Sequence, residues 1–332
     1  MTTKQGIRRL IRNLIIISIP LIIICIYTFM NPMGYMAVEY PMWIEEKDYV
    51  NQKNTEGIED PDTLIIGDSR AKSGIIPGEL KGDGSAYNIA IGGASPVEMY
   101  YGMKNYLKSH KAPENALVIF GPYHFCRLDN WNQTLYYNYL SLPELLEAET
   151  NALRLNDKNV VYKDWFPDLL SFKLRLPNKY LDAVYTSNFG GNMAKNTDKY
   201  SSVREDLGYT AFGEEEENNN GNYESNLQSF DTTPMSEVYY IKLLDLLKES
   251  GVDVIIEQGP FNEGSDALIK EEFREKYRSF MDEIALRYPE FSVEPEIPVY
   301  DKKNFGDNNH LNRRGAEKFT AEIREKYGDR LY

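Results

Sequence analysis

Thr63-Leu-Ile-Ile-Gly-Asp-Ser-Arg70, TLIIGDSR, is an apolar run that stops at a glycine and then presents an acid, a hydroxyl and a base in succession. Residues Thr63 to Ile66 are too few for a helix and rich in β-branched side chains, so they read as a strand buried on both faces of a parallel sheet. Whatever follows Gly67 then sits at the carboxyl edge of that sheet, where open α/β sheets bind ligands, and Ser69 becomes a candidate for chemistry. Alone, Gly-Asp-Ser is equally a polar turn, so the rest of the chain decides.

The pattern repeats downstream. YNIAIGG (87–93) reads as a second short strand ending at glycines, and Pro96 opens an amphipathic helix, PVEMYYGMKNYLKSH. Ala116 to Phe120 make a third strand ending at Gly121-Pro122. SEVYYIKLLDLLKESG is a helix stopped by Gly251, and VDVIIEQGP is a fourth strand. IPVYD (297–301) is a weaker fifth, and a last helix runs from about Asn312 through RRGAEKFTAEIREKYG. Strands alternating with helices at this spacing predict an α/β fold with a doubly wound, flavodoxin-like parallel sheet of about five strands.

That core takes residues 61–126 and 234–332. Between them, 127–233 breaks the rhythm and reads as an insertion, a candidate lid or partner-binding region. Its GEEEENNNGNYESNLQS stretch has the composition of a mobile loop. Its aromatics Trp131, Tyr136, Tyr137, Tyr139, Trp165, Tyr180 and Tyr185 read as a small core of the insertion ahead of a sugar-stacking surface.

The 332 residues, 42% hydrophobic and 27% charged, suffice for one substantial core with an insertion. The net charge is −14, and because residues 1–30 hold Lys4, Arg8, Arg9 and Arg12 with no acid, the remainder carries −18. That argues against a nucleic-acid partner. From Leu14 to Met30 no charge occurs, the pattern of a signal anchor whose basic flank stays inside. Residues 1–30 are therefore expected to form a cytoplasmic tail and single transmembrane helix, 31–60 a juxtamembrane connection, and the rest an extracytoplasmic domain at the cell membrane. Cys25 follows Ile24, unlike a lipoprotein signal, and with Cys126 as the only other cysteine no disulfide is expected. Neither Cys/His clusters with metal-ligand spacing nor a phosphate loop occur, so neither metal nor cofactor is expected.

Three histidines are available as a base for Ser69: His110, His124 and His310. His110 lies at a helix C-terminus, where the dipole accounts for it. His124 follows the third strand and can line the same edge as Ser69. His310 stands in FGDNNHLNRRG three residues after Asp307, a spacing that lets the carboxylate accept from one imidazole nitrogen while the other faces a serine. An oxyanion needs donors as well, and Ser69 at a helix start and Gly92-Gly93 at the end of the neighbouring strand can offer backbone N–H groups.

IIGDSR, NIAIGGAS some twenty residues on, and DNNH near the C-terminus resemble the SGNH, or GDSL-type, hydrolase superfamily in order, spacing and strand context, over about half of the chain. The resemblance implies Ser69 as nucleophile, His310 as base, Asp307 as its orienting acid, and the Ser69 and Gly93 amides as oxyanion hole. Arg70, Gly92, Tyr123 and His124 would contact substrate. Where many members have Gly-x-Asn-Asp after the third strand, this chain has Gly121-Pro122-Tyr123-His124, so the usual oxyanion asparagine is missing. That departure, with the anchor and insertion, is similar to the membrane-anchored branch that includes alginate O-acetylation and teichoic-acid D-alanylation proteins. It implies a membrane-bound O-acyltransferase as partner and a serine acyltransferase moving a small acyl group on a cell-envelope polysaccharide or teichoic-acid-like polymer. A carbohydrate esterase acting on the same groups and a non-catalytic scaffold are the rivals. The acidic domain works against an anionic polymer unless its cleft is locally basic.

Overall fold

The structure, a computed structural model, describes residues 3–30, 39–52, 60–80, 85–128, 131, 139–177 and 191–331. The chain forms two compact units, Met1–Pro41 with Lys163–Lys199, and Met42–Tyr162 with Tyr200–Tyr332. The first contains helix α1 (Thr3–Met30), long and apolar enough over Lys4–Met30 to cross a membrane. Its end is held within that unit, since Thr28 Oγ1 donates to the Arg175 carbonyl (2.9 Å) and the Arg175 guanidinium to that of Phe29 (2.6 Å).

The second unit is built on a parallel sheet. Strands β1 (Thr63–Gly67), β2 (Ala86–Asn88), β3 (Asn115–Ile119), β4 (Asp253–Glu257) and β6 (Ser292–Val293) lie in the order β2-β1-β3-β4-β6 among the described residues. This is the predicted flavodoxin-like winding, with the chain reversing direction across the sheet between β1 and β3. Register puts Gly67 opposite Ile119 and Ile119 opposite Glu257, so the carboxyl ends of the three central strands align. Leu64, Ile65 and Ile66 are fully buried on both faces, each contributing about 1.5–3 kcal/mol of apolar burial.

One strand differs from expectation. IPVYD does not supply the fifth strand of the main sheet; β7 (Val299–Tyr300) instead pairs with β5 (Phe261–Asn262) in a separate two-stranded ribbon. The main sheet takes Ser292–Val293, two residues too few to carry any alternation.

Helix α2 (Tyr40–Val50) precedes the sheet and contributes buried Met42, Trp43, Glu46 and Tyr49. Helix α3 (Ser69–Gly74) follows β1 directly. Helix α4 (Pro96–Ser109) starts with a capping box, the Ser95 hydroxyl accepting from Val97 N–H and the Ser95 amide donating to the Glu98 carboxylate. Helix α5 (Pro234–Glu249) ends in a Schellman motif, in which Val252 N–H donates to Leu247 and Gly251 N–H to Lys248. Helix α6 (Arg313–Leu331) closes the chain.

The acidic asparagine-rich stretch is not loose. Its backbone pairs with the loop before α6, Glu215 N–H donating to Gly306 O and Asn218 N–H to Lys302 O, and the Asn312 amide donates to Glu216 O. Asparagine side chains provide the hydrogen bonds that no regular ladder offers here. Of the insertion's aromatics, Trp131 and Tyr139 are buried, whereas Tyr136, Tyr137, Tyr180 and Tyr185 lie outside the described residues.

Candidate active site

The site grows from the break after β1. A Cβ on Gly67 would lie 1.8 Å from the Ile119 carbonyl oxygen, so only glycine lets β1 run this close to β3 before the chain turns. Asp68 follows as N-cap. Its Oδ1 accepts from Arg70 N–H at 2.8 Å and its Oδ2 from Gly121 N–H at 2.6 Å, so one fully buried carboxylate caps α3 and ties the turn to the end of β3. Ser69 is thereby the first residue of α3, at the winding reversal between β1 and β3.

The residues opposite come from the last loop. Asp307 Oδ1 accepts from the backbone N–H groups of Asn309 (2.7 Å) and His310 (2.8 Å), which locks the turn. Its Oδ2 lies 2.8 Å from His310 Nδ1, and His310 Nε2 lies 2.8 Å from Ser69 Oγ. With Nδ1 carrying the proton toward the carboxylate, Nε2 is left to accept from the serine hydroxyl. Burial pushes the Asp307 carboxyl up, but the hydrogen bond and charge of His310 and the two amides outweigh it and hold the acid below its usual range. The Phe212 ring lies 4.9 Å from the imidazole. Thus Ser69, Asp307 and His310, 241 residues apart at the extremes, meet in one hydrogen-bonded chain.

Gly92 and Gly93 occupy the centre of a β-turn closed by Ala94 N–H donating to Ile91 O at 3.1 Å, and Ile91 N–H donates to Gly67 O at 3.2 Å, next to the turn that carries Ser69. Gly93 has φ +70, a conformation that other residues rarely adopt. His124 Nε2 lies 3.7 Å from Asp68 Oδ2, and the Tyr123 ring stands 5.3 Å from that of Tyr223, so both flank the same edge.

Arg70 is placed otherwise than a substrate contact requires. Its guanidinium lies over the Phe261 ring (4.7 Å) and donates to both carboxylate oxygens of fully buried Glu224, at 2.8 and 2.7 Å. The Tyr123 amide also donates to Glu224 (3.2 Å). The charge pair faces inward because Glu224, 154 residues away, neutralises it there. His110 is structural, with Asp60 on one ring nitrogen (2.6 Å) and the Tyr49 carbonyl on the other (2.8 Å).

Sequence reasoning missed Glu224, Phe212, the double role of Asp68, and a buried ion pair between Lys72 of α3 and Glu46 of α2. Of these, only Asp68 carried a local signal, an Asx residue before a helix. Among the described residues no group of three or more His, Cys, Asp or Glu side chains could hold a metal ion.

No protein-family model matches the chain, and no curated protein matches it. Among solved structures, one provisionally described as a platelet activating factor from Streptococcus pneumonia is 11% identical, over 89% of this chain and 94% of that one. Its TM-score is 0.38, a likeness too slight to carry a functional inference, so the chain's chemistry rests on its own geometry.

Proposed function

We propose that this chain is a membrane-anchored SGNH-type serine acyltransferase, with Ser69 as nucleophile, His310 as general base and Asp307 as its orienting acid. The reading is carried by the Ser69–His310–Asp307 hydrogen-bond chain, 2.8 Å at each link, at the carboxyl edge of a flavodoxin-like sheet. In the first half-reaction Ser69 Oγ attacks the acyl carbonyl as His310 Nε2 takes its proton. Negative charge develops on the carbonyl oxygen, opposite the Ser69 and Gly93 amides. Asp307 stabilises the imidazolium, which returns the proton to the leaving group as the tetrahedral intermediate collapses to acyl-Ser69. In the second half, His310 takes the proton of an acceptor hydroxyl as its oxygen attacks the acyl-serine; the bond between the acyl carbon and Ser69 Oγ breaks, the imidazolium returns the proton to Oγ, and the acylated acceptor leaves.

The acceptor is a hydroxyl of a cell-envelope glycan, and the donor is a small acyl group presented by a membrane-bound O-acyltransferase. Helix α1 supports this setting. An uncharged acceptor is favoured over an anionic polymer, because Arg70, the cation next to Ser69, is already neutralised by Glu224.

The test is covalent. A fluorophosphonate should label the full-length protein at one serine, and Ser69→Ala should abolish the label while the fold persists; persistent labelling elsewhere refutes the assignment. With a radiolabelled acyl donor and a hydroxylated glycan, transfer puts label on the acceptor, whereas an esterase releases free acid only.

A further inference from the structure

Helix α2 touches the site twice. From its N-terminal half, buried Trp43 donates its indole Nε1–H to the Gly92 carbonyl at 3.1 Å. One turn on, fully buried Glu46 pairs with fully buried Lys72 of α3, whose ammonium also donates to the Asn88 carbonyl at 2.9 Å. Asn88 in turn donates to Ala71 O at 2.9 Å. One helix therefore grips both the turn after β2 and the helix that begins with Ser69.

The Trp43 bond falls on one particular peptide. In the Ile91–Ala94 turn, Gly92 and Gly93 are the central residues, and of the two only Gly93 has positive φ, the arrangement of a type II turn. The bond between them is the one whose rotation interconverts type I and type II. A peptide is planar and trans, so its C=O and N–H point in opposite directions. Holding the Gly92 carbonyl toward Trp43 fixes the Gly93 N–H on the other side, and a flip that reversed that amide would break the Trp43–Gly92 hydrogen bond.

We infer that Trp43 is a positioning residue for the acyl chemistry, setting the direction of the Gly93 oxyanion donor through the Gly92–Gly93 peptide. This rests on the reading of Ser69 as nucleophile and Gly93 as donor. Trp43 does not touch substrate; it acts through a backbone group that does, and the buried hydrogen bond from Lys72 to Glu46 keeps its helix in register with α3.

The experiment uses the full-length chain in detergent with 4-nitrophenyl acetate as probe. Trp43→Phe removes the N–H, and site-specific 3-benzothienylalanine at position 43 removes it with the bicyclic shape kept, which separates donor loss from packing loss. Both should lower kcat roughly tenfold, less than the 10²–10³ of deleting a direct oxyanion donor, with KM within about twofold. Gly93→Ala should lose more, and adding the position-43 isostere to it should cost nothing further, because both changes act on one amide. An isostere with wild-type kcat overturns the inference, and so does a loss that multiplies with that of Gly93→Ala. Ser69→Ala run alongside keeps the two readings apart: if it retains activity, the nucleophile assignment has failed; if it is dead while the isostere is fully active, only the role of Trp43 has.

Discussion

Glu224→Gln isolates the least expected contact beside Ser69. The change keeps size and removes the charge, leaving the Arg70 guanidinium 7% exposed with no counter-ion at 2.7 Å. Arg70 Nη1 already has no hydrogen-bond partner among the described residues, so this cation has nothing in reserve. Breaking a buried pair from one side costs about 3–5 kcal/mol, because an uncompensated charge stays in a low-dielectric site. For a unit of this size each kcal/mol lowers Tm by about 2–4 °C, which predicts a fall of roughly 6–20 °C. Arg70→Met should do comparable harm by stranding the Glu224 carboxylate. The double variant Arg70→Met/Glu224→Met should lose far less than the sum, because it removes the desolvation cost together with the attraction. Thermal melting followed by near-UV circular dichroism reads all three. If the two single losses simply add, or if Glu224→Gln melts within about 2 °C of wild type, the pair is not the brace described.

Asp307→Asn should keep the fold but lower turnover by about 10⁴-fold and slow fluorophosphonate labelling of Ser69 with it, and with His310→Ala in addition should lose little more than the worse single variant; multiplying losses in steady-state kinetics would count against one unit. Burial pushes the Glu46 carboxyl up to about 7, against the opposing charge of Lys72, so the folded state keeps a proton that the unfolded chain releases near its ordinary 4.5. Stability from this group is therefore full at low pH and is lost as pH rises through about 4.5 to 7, and Glu46→Gln should flatten that part of the Tm–pH curve; parallel curves would refute it. Removing residues 1–30 should move the chain from the membrane to the soluble fraction with Ser69 still labelled by fluorophosphonate, and retention in the membrane fraction would show that α1 is not what holds it there.

What was legible in the sequence was local. Gly67-Asp68-Ser69 is read from a short apolar strand that ends at a glycine, with the serine just beyond its carboxyl end, and Asp307-x-x-His310 from the reach of one turn. Both pieces obey rules about near neighbours, and the serine and histidine then meet because a doubly wound sheet gathers strand ends at one edge. Arg70–Glu224 obeys no such rule. An acid inside NNNGNYESN looks like any solvated loop residue, and only the folded chain shows it neutralising a cation 154 positions earlier. The asparagine-rich stretch misleads for the same reason, since composition reports what a segment lacks in apolar surface but not which carbonyls its amides will meet. IPVYD reads as a weaker fifth strand, but nothing within those five residues says which edge a two-residue strand joins.

The distance along the chain between Ser69 and His310, 241 residues, also sets an order of events during synthesis. The turn that carries Ser69 leaves the ribosome early, followed by the β2 and β3 segments that flank it. Asp307 and His310 follow, at ordinary elongation rates, some ten to fifty seconds later. Until then the serine is an ordinary alcohol without a proton acceptor. A chain truncated before residue 307 can assemble most of the sheet and still lack the imidazole and carboxylate that face Ser69 in the folded protein.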